Sequence, residues 1–165
     1  MGKRARELVE ASGIDVEWLI NELNKAFADE CIAFFYYNLL SRLIKGVEAS
    51  ILSRELAKMA NRRLKHQEKI LQRILELGGE PLKRFDDIPK LANCPYITIP
   101  DNLADLRAIL KAVLEAERCS INIYSKLLDN LVSAGRDPIT LQLIREILRE
   151  EIEHEQALEQ LLGEK

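Results

Sequence analysis

The 165-residue chain is 47% hydrophobic and 31% charged with only 7 Gly and 5 Pro, a balance that suits helices covering one core in a single domain. Its formal net charge of -3 comes from 24 basic and 27 acidic residues interspersed along the chain, which signals no basic surface for nucleic acid; Lys3, Arg4 and Arg6 read as a solvated end. No apolar run reaches the roughly 20 residues of a membrane span, no signal peptide opens the chain, and Cys31, Cys94 and Cys119 form neither a disulfide framework nor a CxxC pair, so the expectation is a cytoplasmic protein whose thiols are reduced by default.

Residues 3–11 can form a short leading helix, stopped by Ser12-Gly13. Asp15 then caps a long helix over about 15–45, closed by Gly46 in a left-handed conformation. A second helix is expected over about 50–77, where Gly78-Gly79 ends it. Residues 80–100 hold all but one of the prolines and no sustained helical period. Asp101 is the expected cap of a third helix over about 101–134, and Asp137-Pro138 opens a fourth over about 138–162.

Short links make helices 1 and 2, and helices 3 and 4, antiparallel hairpins. The middle link of roughly 20 residues can extend to about 65 Å, and a helix of about 28 residues is about 42 Å long, so the link can cross the whole bundle. The expected fold is all-α: a four-helix bundle of two antiparallel hairpins joined by one long crossover.

The core of such a bundle is built from positions seven residues apart, and polar residues on that spacing point inward. Helix 1 gives Leu23, Glu30, Tyr37 and Ile44; helix 3 gives Leu103, Leu110, Glu117, Tyr124 and Leu131. Helix 2 gives Leu52, Met59 and His66 beside Leu56, Arg63, Ile70 and Leu77; helix 4 gives Ile144, Glu151 and Leu158 beside Ile147, His154 and Leu161. Six polar side chains therefore enter one core: Glu30, Arg63, His66, Glu117, Glu151 and His154. A lone buried carboxylate costs several kcal/mol, so these groups are expected to pair with one another or to bind metal. Three carboxylates and two imidazoles suit iron or manganese, with zinc a further alternative. The plainer reading is a buried polar network, with Tyr37 and Tyr124 as core aromatics, His66 as a core histidine on a carboxylate and Cys31 as a small buried hydrophobe.

Ferritin-like di-metal proteins place one Glu on each of two helices and Glu-x-x-His on each of the other two. Glu151-Ile152-Glu153-His154, Glu30, Glu117 and His66 fit that pattern, and the chain resembles ferritin-like proteins over nearly its whole length. The likeness is carried by residues 23–40 (LNKAFADECIAFFYYNLL), 73–81 (RILELGGEP), 114–120 (LEAERCS) and 147–155 (ILREEIEHE), and is strongest toward the Dps-like group called thioferritins. The resemblance implies a ferroxidase centre for two irons, Glu30 and His66 on one, Glu117 and His154 on the other, Glu151 bridging both. It further implies that Cys94 and Cys119 are a redox pair beside the site, that Fe(II) is oxidised by peroxide or oxygen, and that the chain forms a homo-oligomer, a twelve-subunit cage by analogy.

Two positions depart from the pattern. Leu64 stands where bacterioferritins carry their heme-binding Met, so heme is not expected. Arg63 stands where the second bridging Glu belongs. A guanidinium stays protonated, repels a dication and can pair with Glu30, Glu117 or Glu151, which leaves open two metals, one, or none. The alternatives to a ferroxidase are a non-catalytic bundle neutralised by Arg63 and a single-metal oxidoreductase.

Overall fold

The computed structural model describes residues 3–163, and every regular element among them is helical. Helix α1 (Lys3–Ala11) leads into α2 (Val16–Leu43), which packs antiparallel on α3 (Ala49–Glu76). The crossover carries a 3-10 turn at Phe85–Asp87 and the one-turn helix α4 (Ile88–Leu91), which rests on α2. Helices α5 (Leu106–Ala134) and α6 (Pro138–Leu162) form the second hairpin.

Aspartates set the starts of α2, α5 and α6, whereas α3 begins after Glu48 with no side-chain cap. Asp15 accepts from the backbone N–H of Glu17 and Trp18 at 3.0 and 3.2 Å, and Asp137 accepts from Thr140 N at 3.1 Å with Pro138 at the first helical position. The third bundle helix differs from expectation: it begins at Leu106 and its cap is Asp105, not Asp101. Asn102 Oδ1 accepts from Ala104 N at 3.0 Å, and Leu103 O accepts from Lys45 N at 3.0 Å. Residues 101–105 are therefore spent on a turn tied to the end of α2, and Leu103 lies outside the helix. Helix α2 also stops sooner than Lys45, with Ile44 extended and Gly46, at φ +119°, beyond the helix rather than capping it. Gly78 does end α3 as its residue type demands, at φ +70°.

Two apolar clusters fill the interior. One gathers Tyr37, Leu40, Leu56, Met59, Val113 and Leu158; the other gathers Leu19, Leu23, Ile70, Ile74, Leu131 and Ile147. Between them lies a single polar layer, so the polar side chains sit with dry walls above and below. Of the inward registers, Leu161 alone on α6 breaks the pattern at 40% exposure, in the last turn of its helix.

Candidate metal centre

Each helix delivers its polar residue to this layer because its apolar neighbours one heptad away are already committed to the core. Glu30, Arg63, Glu117 and Glu151 are fully buried, His66 is 1% exposed and His154 6%. The five candidate ligands and Arg63 thus converge from four helices on one place.

They fall into two overlapping triads, Glu30 with His66 and Glu151, and Glu117 with His154 and Glu151, whose potential ligand atoms lie within 4.8 Å of one another in each triad. His66 Nδ1 is 3.3 Å from Glu30 Oε2 and 3.5 Å from Glu151 Oε1. His154 Nδ1 is 3.1 Å from Glu117 Oε2 and 3.9 Å from the same Glu151 Oε1. One carboxylate oxygen therefore faces both imidazoles.

Arg63 fills the remaining side. Its Nη1 donates to Glu30 Oε1 at 3.2 Å and, weakly, to Ser120 Oγ at 3.4 Å, while Nη2 donates to Glu117 Oε1 at 2.5 Å and touches Glu151 Oε2. The guanidinium also lies 5.6 Å from the centroid of the Tyr37 ring. It pairs with all three carboxylates at once, where the sequence pattern left the choice open. The Glu151 contact has the proximity of an ion pair but not the direction of a hydrogen bond. Both Glu151 oxygens and Arg63 Nε have no hydrogen-bond partner.

The tyrosines complete the layer: Tyr37 donates to Glu117 Oε1, and Tyr124 to Glu30 Oε1 at 2.5 Å. Both phenols are held protonated, first by burial and then by the adjacent carboxylate. The reading of these rings as core aromatics with satisfied hydroxyls matches.

The charges sort themselves by neighbour. Burial pushes the Glu117 carboxyl up, but Arg63, His154 and Tyr37 outweigh it and hold it down at about 2. Glu30 is also held below the ordinary range, burial being outweighed by Arg63, His66 and Tyr124. Glu151 goes the other way: burial, opposed by Arg63 but reinforced by repulsion from Glu117 and Glu30, raises it well above the carboxylate range. Glu151 is thus the carboxyl of the three most disposed toward its protonated form, and it accepts no hydrogen bond at either oxygen although Arg63 Nη2 touches Oε2. A buried carboxyl short of partners on both oxygens and shared between two triads is what a metal-binding layer needs. The donor set fits a divalent metal on either triad; Arg63 occupies the side from which a second bridging carboxylate would come.

Two functional contacts come from outside the inward registers. His66 Nε2 lies 2.7 Å from Glu150 Oε2, so a carboxylate orients the ring from its far side. Asp29, 7% exposed, receives the N–H of Asn93 and Cys94. The signal each carried is the same: a carboxylate directly preceding a register Glu, Glu151 or Glu30.

Cys94 and Cys119 are joined as a disulfide, their Cα atoms 6.1 Å apart, in contrast to the reduced default expected for a cytosolic chain. A small cavity beside this bond is lined by Asp29, Ala33, Tyr37, Cys94 and Ser120, so the disulfide and the polar layer share neighbours. Cys31 is a half-buried free thiol whose pKa burial, with a contribution from Glu30, raises to about 11, as suits a packing role.

The ferritin-like domain family matches residues 20–165. The chain is 38% identical over 164 residues to the DNA protection during starvation protein of Pyrococcus furiosus, a match covering 98% of this chain and 86% of that one. Among solved structures it superposes on the bacterioferritin-related protein of Bacteroides fragilis, described as a dodecameric thioferritin, with TM-score 0.89 and 28% identity over 98% of this chain and 93% of that chain. Dps from Thermosynechococcus elongatus shares the fold, at TM-score 0.82 and 16% identity over 90% of this chain and 92% of that one. No helix among the described residues is long and apolar enough to cross a membrane.

Proposed function

Because this chain belongs to the ferritin-like domain family, we propose that it is a Dps-like iron-handling protein that takes up Fe(II) at the buried Glu/His layer and oxidises it with peroxide or oxygen. Its role would then be iron storage and protection from oxidative stress. The single observation that carries this reading is Glu151, fully buried, with both oxygens lacking hydrogen-bond partners and one facing both His66 and His154. Glu30 and His66 would hold one iron and Glu117 and His154 the other, with Glu151 between them. When two Fe(II) are oxidised by one peroxide, two electrons pass to the O–O bond and two hydroxides leave. The residues around the layer supply the rest. Ionised Glu30 and Glu117 attract the cation, Glu151 releases its proton as the cation arrives, and the apolar clusters on either side exclude bulk water. Cys94 and Cys119 would serve as a redox pair beside the site, and the chain would assemble into a homo-oligomeric cage like the dodecameric relative.

A second reading is favoured by Arg63, which touches all three carboxylates and is fully buried. In it the layer is a closed ionic network with one metal or none. Anaerobic Fe(II) titration of the full chain, followed by stopped-flow oxidation with peroxide and with oxygen, separates the two. The ferroxidase reading expects two ions bound per chain and oxidation well above background, both abolished in Glu151→Ala. One ion or none, with no oxidation above background, would leave the ionic network as the answer.

A further inference from the structure

We propose that Asp29 is the positioning residue for the Cys94 thiol, holding the crossover against α2 so that Cys94 meets Cys119 in the reduced chain as well as in the oxidised one. Cys94 lies beyond the end of α4, in a stretch with no helix of its own until Leu106, so regular structure does not place it. Cys119, by contrast, is fixed on α5. What orders the cysteine on the crossover is Asp29. Its Oδ1 accepts from Asn93 N at 2.8 Å and from Cys94 N at 2.9 Å, and its Oδ2 accepts from Asn93 Nδ2 at 2.8 Å. Hydrogen bonds to a carboxylate are stronger than neutral ones, and here three converge on one buried acceptor, two of them from consecutive backbone amides. The carboxylate is spent on Asn93 and Cys94, and of these two residues Cys94 is the one with redox chemistry.

The clasp reaches further than the thiol. Asp29 directly precedes Glu30, and Cys119 follows Glu117 by two positions, so Asp29, Cys94 and Cys119 link the two helical turns that carry those carboxylates.

The inference rests on the reading of Cys94 and Cys119 as a redox pair. With glutathione disulfide as oxidant, one protein thiolate attacks a sulfur of the reagent and expels a glutathione thiolate. The second protein thiolate then attacks the mixed disulfide and expels the other, so two electrons pass from the protein dithiol to the reagent. The equilibrium of that exchange depends on how well the second thiol is held in place, because an ordered partner acts as a high local concentration.

The full-length chain is equilibrated in glutathione buffers, quenched by alkylation and scored by mass spectrometry, alongside Asp29→Asn, Asp29→Ala and Asn93→Ala. Asp29→Ala should lower the dithiol-to-disulfide equilibrium constant on the order of tenfold, about 30 mV in potential. Asp29→Asn should fall between the natural chain and Asp29→Ala, since its amide oxygen still accepts from both backbone amides but the charge is lost and its amide nitrogen faces the Asn93 Nδ2 donor. Asn93→Ala should shift the constant the same way by a smaller factor. A merely structural Asp29 would lower the denaturation midpoint and leave the thiol equilibrium where it was. An equilibrium constant unchanged in both alanine variants overturns the role of Asp29 alone, and if Asp29→Ala does not fold, an unchanged Asn93→Ala does so by itself. A natural chain whose thiols never link overturns the redox pair, and this inference with it.

Discussion

Arg63 is the largest side chain in the interior with no exposed surface, and it is held there by three carboxylates, a serine and an aromatic face. Burial opposes its charge, but Glu117, Glu151 and Glu30 outweigh that and raise its pKa well above the already high guanidinium value. Arg63→Glu would leave four carboxylates in the layer with no internal cation. The metal-free variant should lose roughly 3–5 kcal/mol, the usual cost of breaking a buried ion pair. A unit charge about 4 Å from a dication interacts by roughly 8 kcal/mol at an effective dielectric near 20, before desolvation. The variant should therefore hold more iron, oxidise it faster and regain stability on adding Fe(II) or Mn(II) anaerobically. Metal content and thermal midpoints equal to those of the natural chain would show that Arg63 does not decide occupancy. Acid tests the same layer from another side. The Glu117 pKa is depressed from 4.5 to about 2, so its contribution to stability is complete above pH 4.5 and is lost as pH falls toward 2. Glu151 is raised and so favours the folded state toward acid, opposing this loss. Metal-free Glu117→Gln should accordingly lose less stability than the natural chain between pH 4.5 and 2 in urea titrations. Parallel losses in the two proteins would contradict it.

The helices are fastened at their ends as well as along their cores, and the second hairpin shows how. Asp137 caps α6 and at the same time accepts from Arg73 Nη2 on α3 at 3.0 and 3.1 Å, while Arg73 Nε donates to Thr140 Oγ1 at 2.8 Å. Both charged side chains are nearly inaccessible, so this contact differs in kind from the exposed cap at Asp15. Asp15→Ala should cost about 1 kcal/mol, the worth of an ordinary N-cap. Asp137→Ala removes the cap and strands a buried guanidinium, and should cost roughly 3–5 kcal/mol. Chemical denaturation of both variants measures the difference, and equal losses would mean that the ion pair adds nothing to the cap. The crossover is the other element with a task, since α4 rests on α2 and the stretch after it carries Cys94 to α5.

For the whole molecule, the apolar surface left over by one chain is informative. Phe35 and Ile51 are more than half exposed, and Tyr96, packed through Tyr36 toward Phe35, is exposed to the same degree. Apolar side chains of this size are suited to burial against a second copy. Light scattering at micromolar concentration should give a particle many times the 18.9 kDa chain mass, near twelvefold if the assembly follows the dodecameric relative. A monomer would contradict it, and Phe35→Asp should shift the distribution toward smaller species.

The fold class and the polar layer were legible in the sequence for one physical reason. A heptad step selects one face of a helix, so Glu30, Arg63, His66, Glu117, Glu151 and His154 announced their burial by interrupting aliphatic registers. Caps were legible where one aspartate stood before a helix, and misread where Asp101 and Asp105 competed and the turn bonded to α2 decided between them. Contacts between segments distant in the chain were not legible: Glu150 on His66, Asp29 on Asn93 and Cys94, and Arg63 pairing with three carboxylates rather than one. Periodicity along a helix says which side chains turn inward. Which of them then meet is decided by the packing of the four helices and the course of the crossover, and the charge and proton of each carboxyl are decided there too.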